Sequence, residues 1–494
     1  MMIERDHPSL LFVGVFVALS LSSCTVPPSQ ASHPSETGGP GPLPLPSPWT
    51  ATSLPTPSDV VPTPLPTGTG ASDSPHETQQ PAGPLTPSPS PTLKPLSAAG
   101  PWLVFCDRER RLVIQDETGD QASFPASGSC FEQTAVSAES RRLAFLTGGA
   151  DGGNVLRILE APGLEVVGEA ALGDVEIRDV EQMSWSPDGA VLAYVASLEG
   201  QAAELHAYNV EQSTARLLDS RQGEILLMAW SPDSRWLVAF SGEGGVGLEE
   251  VWAASIDGAG TRVVFRHSSS SGTYYAGSVL GWTARSTFVM EDGPGEGCSY
   301  ALREFNIETG GNRVLYDSSF GDPQLDPTSR TVFLEIREPG MCVYDLSPGI
   351  YRLPLAAPWP RLVVEGIGWE RLFWLGPLGR LGVRTSSPPG IQTYAPDGRQ
   401  EAFFADAAEL FPSPDGAWAL ARTTDGGLAL VDASGASHRM ISSQRPEGIV
   451  WLTDSSAFYV LEDGGAIYHM AVEGQDRPSL VADSVLELLA LLTP

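Results

Sequence analysis

The sequence predicts an all-β chain that closes into a β-propeller of four-stranded blades, and three observations predict it. The first is a recurring block: an apolar run, a Trp or Phe, a four-residue turn and a second apolar run. Its clearest copies are Met183-Ser184-Trp185-Ser186-Pro187-Asp188-Gly189, Met228-Ala229-Trp230-Ser231-Pro232-Asp233-Ser234 and Leu410-Phe411-Pro412-Ser413-Pro414-Asp415-Gly416. The second is spacing: the turns begin near residues 97, 137, 186, 231, 283, 326, 375, 413 and 452, about 44 residues apart, the length of a four-stranded blade. The third is complementarity between the ends. Residues 98–105 align with 414–421, so the first unit starts at its second strand, and the last segment supplies a spare first strand.

Each unit reads as strands A to D. Strand A ends near the aromatic residue, and a turn with Ser first, Pro second and Gly fourth follows, as a type I turn prefers. Strand B is rich in β-formers: 192–196, 237–241, 287–291, 331–335 and 457–461. A hairpin loop follows, often Asp-Gly (Asp425-Gly426, Asp463-Gly464), the strongest short hairpin signal. Strand C is expected at 204–209, 250–255, 301–306, 428–433 and 466–471, and strand D at 215–219, 261–265 and 312–317. The spare strand A is expected at 486–492, with a helix over 487–492 as the competing reading. A lone blade cannot bury both faces, so blades must stack around an axis. Nine turns are readable, but those at 283 and 375 are degenerate and four to eight blades is usual. Eight blades are therefore expected, with seven and nine open.

Upstream, the chain reads as 1–23 signal peptide, 24–96 lipidated Cys plus linker, and 97–494 propeller. Arg5 precedes an apolar run from Leu10 to Leu21, of export-signal length and short for a bilayer span. The run ends in Leu21-Ser22-Ser23-Cys24, which resembles a bacterial lipobox. That resemblance implies cleavage before Cys24 and a diacylglyceryl group on its sulfur, anchoring the chain to the outer face of the cell membrane. Residues 25–96 are rich in Pro, Ser, Thr and Gly and lack apolar periodicity, so they cannot offset their own chain entropy. Proline biases such a tether toward polyproline II, and about 70 residues would reach on the order of 200 Å.

Cys106, Cys130, Cys298 and Cys342 remain, an even number that suggests two disulfides in an exported protein. Nearness in sequence favours Cys106–Cys130 and Cys298–Cys342 among the three possible pairings. No CxxC or HxxxH spacing supports a metal site, and no metal or other cofactor is expected. The net charge is −31, from 60 acidic and 29 basic residues, which argues against nucleic acid as a partner.

The Trp-Ser-Pro-Asp-Gly block followed by an apolar strand resembles the propeller repeats of TolB and its relatives, the Pro-Asp type of WD-like repeat. The resemblance covers residues 98–494 and implies the fold. In TolB the propeller follows an α/β domain and binds envelope partners. Here a lipid anchor and proline spacer are read in that place, so those partners are not carried over.

Catalytic motifs are absent. The propeller's four histidines, His206, His267, His438 and His469, are dispersed, and no Gly-x-Ser-x-Gly elbow, P-loop or EF-hand string occurs. Gly242-Glu243-Gly244-Gly245-Val246-Gly247 fits G-x-G-x-x-G formally, but a strand is expected after it where a dinucleotide site needs a helix. Arg216, Arg262, Arg313, Arg352 and Arg439 recur on expected D strands, where edge charge blocks sheet-to-sheet pairing.

The B–C loops are acidic and should share one face with the D–A connections. The longest such connection, 268–277, carries Tyr274 and Tyr275 near Glu291, Asp292 and Glu296, a rim suited to a basic protein segment or cationic ligand. The expected function is that of a lipid-anchored, monomeric, non-enzymatic binding scaffold in the cell envelope. An envelope hydrolase or lyase with carboxylates in the propeller channel, and a sensory ectodomain acting through a membrane partner, are the alternatives.

Overall fold

The computed structural model describes residues 96–126, 134–148, 153–173, 183–196, 202–242, 250–266, 275–294, 301–337, 346–366, 369–436, 438–473 and 478–493. All belong to one compact unit, Thr92–Pro494. The expected signal peptide, Cys24 and the linker up to residue 95 lie outside the described residues, as do Tyr274, Glu296, Cys130, Cys298 and Cys342.

Among the described residues, nine four-stranded antiparallel sheets form a closed propeller. Blade 1 joins the two ends of the unit: Trp102–Asp107, Arg111–Gln115 and Gln121–Pro125 are its B, C and D strands, and Val485–Leu492 is its A strand. Trp102 pairs with Leu492, Leu103 with Leu491 and Val104 with Ala490. The terminal segment is thus the spare strand and not the competing helix. The A strands of blades 2 to 9 are Thr134–Ser137, Met183–Trp185, Glu224–Trp230, Tyr275–Ala284, Gly321–Asp326, Trp369–Leu375, Ala407–Pro412 and Pro446–Trp451.

The count of nine corrects the expected eight. Both degenerate turns close by other chemistry. Near 283, strand A of blade 5 runs almost directly into strand B, and Ala284 pairs with Thr287. Near 375, a 3-10 turn over Gly376–Leu378 ends on Gly379, whose φ of 61° is left-handed and whose N–H donates to the Gly376 carbonyl. A reversal needs only a compact bend that satisfies its backbone groups, and Pro-Asp-Gly is one of several that do.

The core is divided among the gaps between blades. Nine apolar clusters each join two neighbours, from Trp102 and Phe145 between blades 1 and 2 to Tyr459 and Phe105 between blades 9 and 1. Because every blade is sandwiched, its B strand is covered on both faces. Trp102–Asp107, Val191–Ala196 and Thr331–Ile336 are buried at all positions. That is why these strands read as nearly continuous apolar runs, broken only at Asp107, Thr331 and Glu335, and not as alternations. Each buried Leu, Val or Phe contributes on the order of 1.5–3 kcal/mol.

Candidate functional site

The ring has two chemically different faces. On the first lie the A–B turns. In blade 3 the Ser186 hydroxyl donates to Asp188 at 2.7 Å and accepts the Val191 N–H, while Asp188 also accepts the Ala190 N–H. Ser413 and Asp415 repeat the arrangement in blade 8. Neighbouring turns are tied together: Asp188 N–H donates to Ser234 Oγ at 3.2 Å, and Asp415 N–H to Ser455 Oγ at 3.1 Å. The Ser413 hydroxyl and the Ala417 N–H hold the Asp415 carboxyl below its ordinary range. At Asp188 burial pushes upward, but the Ser186 hydroxyl and the Ala190 N–H outweigh it and the net direction is down. Gly416, at φ 69°, is required there, since a Cβ would sit 2.3 Å from the Pro377 carbonyl oxygen of blade 7.

The A-strand tryptophans continue the stitching. Trp185 Nε1 donates to the Ala135 carbonyl at 3.0 Å, Trp230 Nε1 to the Ser184 hydroxyl at 3.1 Å and Trp451 Nε1 to the Phe411 carbonyl at 3.0 Å. Each acceptor lies on the A strand of the preceding blade.

The D-strand arginines do more than guard edges. Arg262 Nη1 donates to the carbonyls of Ile307 (3.0 Å) and Glu308 (2.8 Å), Arg313 to that of Leu355 (2.7 Å) and Arg439 to that of Ala471 (2.8 Å). Arg216 reaches the Ile256 carbonyl in the same way. Ile256, Ile307 and Leu355 each directly follow a C strand of the next blade and Ala471 ends one, so these arginines clamp adjacent blades. Arg352 falls on a C strand, Gly349–Pro354, and corrects its expected D position.

The opposite face carries the B–C loops and D–A connections. Of the residues expected to form a binding rim there, Tyr275, Glu291 and Asp292 are described. Tyr275 opens strand A of blade 5, paired with Pro294, instead of lying in the connection before it. Ser278 pairs with Glu291 and its hydroxyl donates to that carboxylate at 2.6 Å. Asp292 is buried and ion-paired with Arg303 at 2.6 Å, and the Arg303 guanidinium lies 5.3 Å over Phe265. Adjacent residues on a strand face opposite ways, so Glu291 and Asp292 do not form one acidic patch.

Salt bridges recur around this face. Glu250 joins Arg221 at 2.8 Å and also pairs with Arg266. Glu370 joins Arg384 at 2.8 Å and Glu409 joins Arg422 at 2.6 Å. Burial pushes the Arg422 guanidinium down, Glu409 draws it up, and the charges of Arg445 and Arg384 push it down again. Blade 6 holds a perturbed carboxyl. Asp322 sits on a bulge between Gly321 and Gln324 with φ 40°, a strained backbone for a residue with a side chain. Arg337 Nη2 contacts Asp322 at 2.7 Å and Glu335 at 2.8 Å. Burial raises the Glu335 carboxyl; Arg337 opposes this and Asp322 adds to it. The two acids form a carboxyl pair on one guanidinium nitrogen.

These partnerships are not visible in sequence, because they are made by cross-strand register. Sequence reasoning missed the Asp322–Glu335–Arg337 cluster entirely; the Gly321-Asp322-Pro323 string, a bulge signal, was its only trace.

The histidines are structural where described. His206 contacts Glu204 at 2.9 Å and stacks on Tyr194. His469 packs against Tyr459 and is lowered by burial. Among the described residues no group of three His, Cys, Asp or Glu side chains could hold a metal, and no helix is long and apolar enough to cross a membrane. The G-x-G-x-x-G string starts at the end of strand B of blade 4, and Glu250 opens the antiparallel C strand after it, as a hairpin requires. Cys106, at the end of strand B of blade 1, is disulfide-bonded.

No family model matches the chain, and no curated protein matches its sequence. Among solved structures it is similar to a eukaryotic initiation factor, at 12% identity and TM-score 0.53, over 79% of this chain and 97% of that one. It is also similar to dipeptidyl peptidase 4 of Porphyromonas gingivalis, at 10% identity and TM-score 0.49, over 72% of this chain. The chain spans about 60% of that peptidase's length. TolB of Acinetobacter baumannii is a neighbour at 14% identity and TM-score 0.29, over 53% of this chain and 62% of that one. TolB and other propeller proteins are thus among the structural neighbours; the likeness at TM-score 0.53 shows the fold alone, and the sheet topology is that of a β-propeller of four-stranded blades.

Proposed function

We propose that this chain is a lipid-anchored, extracytoplasmic scaffold that binds an envelope protein or a cationic ligand without chemical turnover. The observation that carries this reading is the state of the acids on the B–C loop face. Glu250, Asp292, Glu370 and Glu409 are each held by arginine, which gives a fixed pattern of alternating charge that a partner of complementary charge can match. The disulfide at Cys106 is in keeping with an oxidising compartment, and the lipobox at Leu21-Ser22-Ser23-Cys24 supports the anchor. Mass spectrometry of the mature protein should find a diacylglyceryl group on an N-terminal Cys24 and Cys106 linked to Cys130. Crosslinking in the native envelope should capture a partner through blades 4 and 5. An unlipidated N-terminus, or turnover with no captured partner, would overturn the proposal.

The carboxyl pair in blade 6 favours a second reading, an envelope hydrolase or lyase. An acid with a raised pKa beside a second carboxyl is a recognised acid–base device. The acids are closer than the roughly 6.5–9.5 Å of an inverting glycosidase pair, because one guanidinium nitrogen touches both. Loss of a measured turnover in Glu335→Gln, with binding intact, would establish this reading over the first.

A further inference from the structure

Blade 7 contains a cavity of ≈ 390 Å³ lined chiefly by Trp369, Thr385, Ser387, Gln392, Gln400 and Phe403. That volume lies at the lower end of the roughly 300–1,000 Å³ of small-molecule sites. All four strands of the blade contribute. Trp369 on strand A pairs with Thr385 on strand B, Gln392 on strand C pairs with Phe403 on strand D, and Tyr394 pairs with Gln400. Gly390 makes room on strand C: a Cβ there would come within 2.9 Å of the Phe403 ring and 2.5 Å of the Phe404 carbonyl oxygen.

The lining has a distinct chemistry. In a chain with 60 acidic residues, none of its side chains is ionisable. Two aromatic rings offer flat apolar faces, and two amides and two hydroxyls offer neutral donors and acceptors. The Gln392 Oε1 accepts the Tyr394 hydroxyl at 2.7 Å, which fixes the amide and leaves its N–H donors for a ligand. An anion would find no cation here. A peptide adding to a sheet needs an open strand edge, whereas this cavity opens on side chains over a sheet face. A molecule with apolar C–H faces, vicinal hydroxyls and no charge satisfies every group present. We infer that blade 7 carries a binding site for a neutral saccharide between Trp369 and Phe403. It opens beside the Glu370–Arg384 pair but uses none of the ion-paired side chains, so it stands independently of the scaffold reading.

Isothermal titration of the full mature chain with maltotriose, cellotriose and chitotriose tests it, with trigalacturonate and a proline-rich decapeptide as controls. At least one neutral trisaccharide should bind. Trp369→Ala should weaken that binding about tenfold or more by removing a stacking platform, and Gln400→Ala about threefold by removing a hydrogen bond. Gln400 is exposed, so its variant should keep the parent melting temperature and decide the matter should Trp369→Ala fail to fold. The inference is overturned by no binding of any neutral trisaccharide, by binding of the controls alone, or by binding that Gln400→Ala and Phe403→Leu both leave unchanged.

Discussion

The A–B turn face and the B–C loop face of this ring use the same residue types for opposite ends. On the turn face, Asp188, Asp415 and Asp454 accept hydrogen bonds from nearby hydroxyls and backbone N–H groups, and all three are held below the ordinary carboxylate range. On the loop face, Glu335 and Glu447 are raised, chiefly by burial with a neighbouring acid adding to it. A carboxylate surrounded by local donors is architecture. A carboxylate buried beside a like charge stores free energy that a ligand or a proton can release. One end of the ring is therefore built to hold blades together, and the other to respond.

The contrast can be broken at several points. Removing residues 485–492 should have the largest effect, because blade 1 loses its A strand and the buried Leu103 and Phe105 lose their cover. Such a chain should show no cooperative urea transition and should bind a hydrophobic dye. Next, Gly416→Val should cost about 3 kcal/mol or more, from a left-handed backbone and a Cβ in contact with the Pro377 carbonyl, read from the urea midpoint. Arg313→Ala, which breaks the clamp on Leu355, should cost about 1–2 kcal/mol by the same measurement, whereas Arg235→Gln should cost under about 0.5 kcal/mol, since its pair with Asp257 is exposed on both sides.

The pH response sharpens the comparison, with opposite signs for the three turn acids and for Glu335. Asp188, Asp415 and Asp454 have lowered values, so their contribution is complete above the unfolded value of about 3.9 and fades as pH falls through their folded values. Ser413→Ala should shrink that acid-side loss. Glu335 has a raised value, so its contribution is complete below the unfolded value of about 4.3 and fades as pH rises toward the folded one. Glu335→Gln should remove that decline, and melting curves between pH 3 and pH 8 separate the two signs.

Much of the scaffold was legible in the sequence because blade geometry imposes strong local signals. The C strands at Glu250–Ser255, Ala301–Asn306 and Ala466–Ala471 coincide with the apolar runs that predicted them, and the complementary ends of the chain pair as read. The blade count was misread because turn chemistry was weighed above spacing at 283 and 375, whereas the spacing was the physical invariant. The site was far less legible. Asp292 and Arg303 stand eleven residues apart and meet only through the strand register, and the arginine clamps span 32 to 46 residues between neighbouring blades. Tyr275 was placed in a loop because nothing in Ser268 to Gly277 marks where strand A begins.

Blade 1 draws its innermost strand from Val485–Leu492 and the rest from Trp102–Pro125. About 360 residues, from Pro125 to Val485, separate its parts. Eight sheets can assemble as the chain emerges, but the circle cannot be locked until Val485–Leu492 has emerged, and until then the first-made sheet waits with a bare flank. Factors that shield unpaired strand edges would find their target there, at the oldest part of the nascent domain and not at the newest.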